Sequence, residues 1–461
     1  MIEIIKEFPR ILRAALKNGG DFAEIFLEER VSVTIGCEDK KVERVISGTD
    51  RGAGLRVLVG EMTAYASTND LTPSGLRELA ERVSKGVNAP AGKYVFPETH
   101  TLEFKQKVLR YPTTVPASDK VSKVLEGNEV AWSFGGEIMQ ALVRYGDSQQ
   151  RVVIANSDGL LVADERIHII FVVQVVAGKD GVVQTGYEPI GGSVGFEIFD
   201  SASPAKVARA AGEQALKMLG ATPAPTGIMP VVISSEAGGT MIHEAVGHGL
   251  EADLVQKGLS VFAGKIGEKV AAEVVTVHDD ATLPGKRGSF TFDDEGTPAE
   301  CTALVENGVL KTYMYDLTTA RKDSRRSTGN GRRESYRHRP VPRMTNTLIV
   351  PGIMDPKGVV ASTEKGLFVR KMGGGQVNTI NGDFMFEVSE AHMIRGGQIQ
   401  EPVRGASLIG NSMKVLGQID MVASDLGFAV GTCGKDGQGA PVSDAQPTVR
   451  ITGITVGGTS A

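Results

Sequence analysis

The sequence predicts an α+β chain of several units, with an α/β N-terminal half and a β-rich C-terminal half. Three observations carry that expectation. Glycine makes up 57 of 461 residues, against roughly 7% in an average protein, and these glycines punctuate runs rich in Val, Ile and Thr, the pattern of strands joined by tight turns. Clear helix-period segments lie mainly before residue 220. A Pro-rich stretch, ATPAPTGIMP from Ala221 to Pro230, divides the halves. The expected units are an N-terminal α+β unit over 1–105, a middle α+β unit over 106–222 and a β-rich unit over 227–461. The chain carries no internal repeat.

Taken in order, the first segment, MIEIIKEFPRILRAALKNGG, reads as an amphipathic helix with Ile5, Phe8, Leu12 and Ala15 on one side. FAEIFLEER and VSVTIGCED alternate apolar and polar residues, as do the flanks of Gly52 to Gly60, and predict strands. Thr72-Pro73 opens a helix as N-cap and first helical residue, with Leu76, Leu79 and Val83 facing inward. Tyr111 to Pro116 reads as a linker, followed by a helix from Ser118 to Trp132. Asn156-Ser157-Asp158-Gly159 marks a turn between two long strands, and a helix over Pro204 to Leu219 closes the middle unit. From Val231 a strand runs into a histidine-bearing helix, and beyond it strands and glycine turns dominate.

Hydrophobic content of 41% and charged content of 23% are those of an ordinary soluble chain. A net charge of −5 argues against nucleic acid as a dedicated partner. No apolar run is long enough to span a membrane, and the N-terminus lacks the features of a signal peptide. Three scattered cysteines form no disulfide framework, so a cytoplasmic location is expected.

The segment GGTMIHEAVGHGLEAD is the most informative stretch. His243 and His248 bracket Glu244, the raw material of a hydrolytic metal site. The histidines are five residues apart rather than the four that align on one helical face. At roughly 100° per residue an ideal α-helix would point them about 140° apart. A π-turn, bonded i to i+5, returns them to one face. Gly247 and Gly249 suit a helix that widens or ends there, and Ala237, Gly238, Gly239 and Thr240 suit close backbone approach. The competing reading is a pair of structural histidines.

Two histidines leave the third ligand open among Cys301, Cys433, His278, His338, His392 and several carboxylates. Cys433 stands in a glycine-flanked loop, GTCGKDGQG, whereas Cys301 reads as a strand residue; a single cysteine is most simply a small buried hydrophobe. The segment Arg321 to Arg343 holds nine Lys/Arg against two acids. It reads as an anion clamp, a nucleic-acid patch, a solvated loop or a subunit interface. Lys371 to Gln376 lacks the order of a phosphate loop. Glu390 and His392 could stand near a site, but as a strand pair they have a simple structural reading.

HEAVGHGLEAD, FDDEGTPAE, STGNGRRESY, PRMTNT, GGGQVNTINGDF and GTCGKDGQGAPVSDAQPTVRITGITVGGT together resemble the TldD/PmbA metallopeptidases, once described as modulators of DNA gyrase. The resemblance spans essentially the whole chain and is strongest from Val231 onward. Because the metal motif is present, the chain is similar to the TldD-type subunits rather than the TldE/PmbA type. The resemblance implies Zn2+ held by His243, His248 and Cys433, with Glu244 as the catalytic carboxylate, and makes 227–461 the zinc peptidase domain. It implies hydrolysis of short or unfolded peptides by a homodimer, or a heterodimer with a TldE/PmbA-like subunit. The alternative is a non-enzymatic regulatory factor of the gyrase-modulator type with a structural metal.

Overall fold

The computed structural model describes residues 2–90, 92–96 and 102–458. The N-terminal segment forms two helical pieces, Ile2–Ile5 and α1, Phe8–Ala15, rather than one continuous helix. Pro9 lies in the first turn of α1, where its missing N–H is tolerated; a helix running through from Ile5 would need that hydrogen bond. Strands β1 (Phe22–Glu38), β2 (Lys41–Val59) and β3 (Met62–Thr68) follow as an antiparallel meander. Helix α2, Pro73–Lys85, is capped by the Thr72 hydroxyl, which accepts from the Gly75 N–H at 3.1 Å. Helix α3 spans Ala117–Trp132, and then β4 (Ile138–Asn156), β5 (Leu161–Lys179) and β6 (Val182–Gly192) lead to α4, Pro204–Leu219.

These strands make one sheet in the order β3-β2-β1-β4-β5, with β6 on the outer edge of β5. Strand β1 pairs with β4 continuously from Glu24↔Asn156 to Glu38↔Leu142, so strands from before and after residue 105 share a single hydrogen-bonded surface. The strands are long enough to carry two cores. Near one end, Phe8, Leu12, Leu76 and Leu79 pack on Ile25 and Leu55. Toward the other, Val124, Val207 and Ala211 pack on Val143, Ile169 and Phe171.

The second half contains β7 (Gly227–Ile233), β8 (Val277–Asp280), β9 (Cys301–Glu306), β10 (Asn346–Ile349), β11 (Lys365–Val377), β12 (Asp383–Arg395), β13 (Ser407–Asn411), β14 (Gly427–Lys435), β15 (Gln438–Gln446) and β16 (Val449–Gly457). The pairings β11-β7-β16-β13-β12, closed by β12 on β11, make a small barrel. A separate sheet runs β9-β8-β10-β15-β14, with β14 at its edge. The α+β class with a β-rich second half is therefore realised.

Leaving β7, the chain enters a helical passage lodged between the barrel and the β14–β15 hairpin. Two glycines permit this approach. Gly238 has φ +65° and lies against Ala429, and a Cβ on Gly239 would stand 2.3 Å from the Ala445 backbone nitrogen. That obstacle is main chain and cannot rotate away. Gly239→Ala should therefore cost about 1–3 kcal/mol by overpacking, read by chemical denaturation, as the passage is lifted off the hairpin.

Candidate metal centre

The helical passage consists of Thr240–Ile242, a π-turn over His243–Gly247 and a tight turn at His248–Leu250. The His248 N–H donates to the His243 carbonyl, the i to i+5 bond that the five-residue spacing calls for. The wider turn brings the imidazoles onto one side, with ring centres 5.2 Å apart and planes at 89°. Gly247 leaves the turn room, since a Cβ there would stand 2.0 Å from the Met344 sulfur. Cys433, on the edge strand β14, meets the pair: its Sγ is 3.4 Å from His248 Nε2. One donor atom from each of His243, His248 and Cys433 lies within 4.8 Å of the others. Tetrahedral zinc bonds of about 2.0–2.3 Å hold donors roughly 3.3–3.6 Å apart, so small side-chain rotations complete the set. His243 Nδ1 is buried and makes no hydrogen bond among the described residues. The donor set fits a metal of the zinc class.

Around these donors lies a supporting layer. His248 Nδ1 is 3.1 Å from Glu251 Oε2, which orients the ring and leaves Nε2 toward Cys433. Glu251 is fully buried and pairs at 3.1 Å with Lys435, which reaches Asp253 at 2.6 Å. Arg343, also fully buried, donates to the Cys433 carbonyl and, at 3.1 Å, to the Gln438 carbonyl, fastening both strands of the hairpin. Burial opposes ionisation of Cys433, but hydrogen bonds from His243 and His248 outweigh it and bring the thiol down to about 5. Burial likewise opposes ionisation of Glu251, yet Lys435 and His248 hold its carboxyl at about 2. Glu244 differs: burial raises it above the ordinary carboxylate range. Its side chain is 28% exposed, and one oxygen lies 4.0 Å from His248 Nε2. It combines solvent access with a raised proton affinity.

The other candidate donors lie apart from this cluster. Cys301 and His278 contact each other at 3.4 Å on β9 and β8, His338 contacts Ser335, and His392 contacts Glu390. Lys371 to Gln376 lies within β11, with Lys371 paired to Glu188. Part of the basic stretch is engaged in intramolecular ion pairs: Arg333 with Glu24 in the interior, and Arg337 with Asp50 and Arg321 with Asp158 at the surface. Glu251, Lys435 and Arg343 were not singled out by residue type alone. Their positions within HEAVGHGLEAD, GTCGKDGQG and PRMTNT are the only signal the sequence carries for them.

A cavity of about 710 Å³ adjoins the start of the helical passage at Ala237 and Thr240 and runs along Phe428 to Val430 of β14, facing Met372 to Gly374. The three metal donors do not line it.

Comparison with known proteins agrees along the whole chain. Residues 23–86 match the PmbA/TldA metallopeptidase domain 1, residues 110–219 the central domain, and residues 226–458 the C-terminal domain. The chain is 36% identical to a metalloprotease TldD homolog of Haemophilus influenzae, over 95% of this chain and 93% of that protein. It is 35% identical to a metalloprotease of Methanothermobacter thermautotrophicus, over 99% and 100%. In fold it is similar to a Thermotoga maritima protein solved as a candidate modulator of a DNA gyrase, with TM-score 0.79, 23% identity and coverage of 98% and 100%. TldE from Thermococcus kodakarensis is similar too, with TM-score 0.78, 20% identity and coverage of 97% and 99%. With matching domains from residue 23 to residue 458 and full-length relatives above 30% identity, the chain belongs to the PmbA/TldD family of metallopeptidases.

Proposed function

We propose that this chain is a TldD-like zinc peptidase that hydrolyses short or unfolded peptides, with His243, His248 and Cys433 as metal ligands and Glu244 as the catalytic carboxylate. The observation that carries the reading is the π-turn, which serves the His-His-Cys cluster while leaving Glu244 beside it and open to solvent. A bound zinc would supply Lewis acidity, drawing the pKa of a water toward neutrality and polarising the scissile carbonyl. Glu244 takes the proton from the attacking water and returns it to the leaving amine; its raised proton affinity suits both transfers. Glu251 keeps the His248 ring in register, and Lys435 keeps Glu251 ionised.

The edge strand supports recognition of an extended substrate. Because β14 ends its sheet, an extended peptide can add to it through main-chain hydrogen bonds beside Cys433, and the cavity along Phe428 to Val430 supports that placement. Such recognition reads backbone and favours unfolded chains. The similarity in fold to TldE supports assembly as a dimer, with a second copy or with a TldE/PmbA-like subunit. Three unpaired cysteines suit the cytoplasm. The three matched family segments support a division into units 1–105, 106–222 and 227–461.

Glu244→Ala should retain zinc and lose about 10²–10⁴-fold in turnover of an unstructured peptide; unchanged cleavage would favour the regulatory factor with a structural metal. Cys433→Ser should lose most of its zinc by elemental analysis, and full retention would move the third ligand elsewhere. The metal-free chain should show thiolate absorbance that persists down to about pH 5 and vanishes below it. The sign is that of a depressed acid: the anion is present above the folded-state value and is lost as pH falls through it. Cys301, raised to about 11 by burial and neighbouring carboxylates, should contribute nothing in that range. Cys433→Ser should abolish the acidic transition.

A further inference from the structure

A second built site lies behind the Cys433 hairpin. A cavity of about 270 Å³ sits between the first-half sheet and the hairpin, and five arginines line it: Arg30, Arg166, Arg287, Arg332 and Arg333. Two carboxylates face the same space, and both are already engaged. Asp294 accepts from Arg166 and from the Arg333 backbone, and Glu334 accepts from the Gly439 N–H. Arg30 pairs with Glu28 and Arg333 with Glu24. Arg287 and Arg332 differ, for neither has a carboxylate within 4.0 Å among the described residues, although they are only 9% and 6% exposed. Arg287 donates its Nε to the Gly431 carbonyl at 3.1 Å, and Arg332 donates one Nη to the Met344 carbonyl at 2.6 Å. Among the described residues the rest of each guanidinium fork has no hydrogen-bond acceptor, and the Arg332 guanidinium lies 5.4 Å from the centre of the Phe290 ring.

A buried charge without a counter-charge is unfavourable, and an arginine cannot escape by losing its proton at neutral pH. Burial alone brings Arg287 down to about 10. Burial brings Arg332 to about 10 as well, with Arg343 and Arg166 adding to the effect and the more distant Asp294 and Asp279 offsetting part of it, so both stay cationic. His168, on the same cavity, is pushed well down by burial and by Arg287, Arg166, Arg332 and Arg30, which reports the strength of the positive field. Guanidinium forks match the paired oxygens of a carboxylate or phosphate. Thr432, Gly439 and Pro441 close the cavity from the hairpin side. Side chains alternate along β14, so Thr432 faces away from Cys433 while sharing its backbone.

We propose that this cavity is an oxyanion-binding site in which Arg287 and Arg332 recognise a carboxylate or phosphate group, carried by a peptide terminus or free in solution. An occupant would tie the middle strands to the hairpin at Gly431 and Thr432, directly before the metal-binding cysteine.

Inorganic phosphate is the first probe. At matched ionic strength it should raise the melting temperature of the zinc-loaded full chain saturably, and chloride should not. In Arg287→Gln and, separately, Arg332→Gln, the apparent phosphate affinity should fall at least about tenfold, the loss of a charge-assisted hydrogen-bond pair, with zinc content unchanged. The wild-type comparison with chloride stands even if one variant fails to fold. The source of the oxyanion is resolved by binding one unstructured peptide to Glu244→Ala, as the free acid and as the C-terminal amide. Tighter binding of the acid, competed by phosphate, assigns the site to the peptide terminus. Equal binding of both peptides beside saturable phosphate binding assigns it to a free anion. The proposal is overturned if phosphate stabilises the wild type no more than chloride does, or if both arginine variants bind phosphate like the wild type. None of these readouts requires peptide cleavage, so the result stands apart from the peptidase assignment.

Discussion

The seating of one helical passage on one hairpin governs the site. His243 and His248 come from a passage that follows β7, and Cys433 comes from β14, nearly two hundred residues later. Their meeting depends on backbone contact at Gly238 and Gly239, where any side chain would hold the elements apart. It depends equally on Arg343, whose buried guanidinium gathers carbonyls from both hairpin strands. Lys435 completes the attachment by reaching from β14 to Glu251 and Asp253, just beyond the second histidine. The same lysine thus joins the two elements and holds the carboxylate that orients the His248 ring.

The two halves of the chain are joined by charge as well as by apolar packing. Arg56 and Glu24 from the first-half sheet meet Glu295 and Arg333 from the second half, with all four side chains essentially inaccessible. Arg166 extends the set to Asp164 and Asp294. Burying ions gains little net stability, because desolvation offsets their attraction, but removing one partner costs about 3–5 kcal/mol. Such a network tolerates one docking geometry and penalises its neighbours. That accounts for part of the basic stretch: Arg321, Arg333 and Arg337 serve the contact between halves, while Arg332 joins Arg287 in lining the cavity.

Much of this was legible in the residues. Thr72-Pro73 and Ser203-Pro204 announce their helices because N-cap chemistry is local. The HEAVGH spacing demanded a π-turn because helix geometry is local as well, and the turn is present over His243–Gly247. The long strands were readable from alternation. Less legible was their partnership: β1 and β4 pair across about a hundred residues of intervening chain, and nothing in either strand names the other. The continuous N-terminal helix failed for a local reason, Pro9, which apolar periodicity does not register.

By itself, then, the sequence determined the element types, the widened turn and the family, all properties of short-range stereochemistry or of motifs preserved as strings. Tertiary structure set Cys433, the cysteine the family resemblance implied, beside the histidines, and decided which carboxylate supports them and where the arginines point. Cys301 and Cys433 are chemically identical, and only folding sets one beside His278 and the other beside His248. The physical reason is that ligand sets and buried charge networks are defined by distance through space, and distance through space is fixed when sheets register and backbones close on one another at residues such as Gly239.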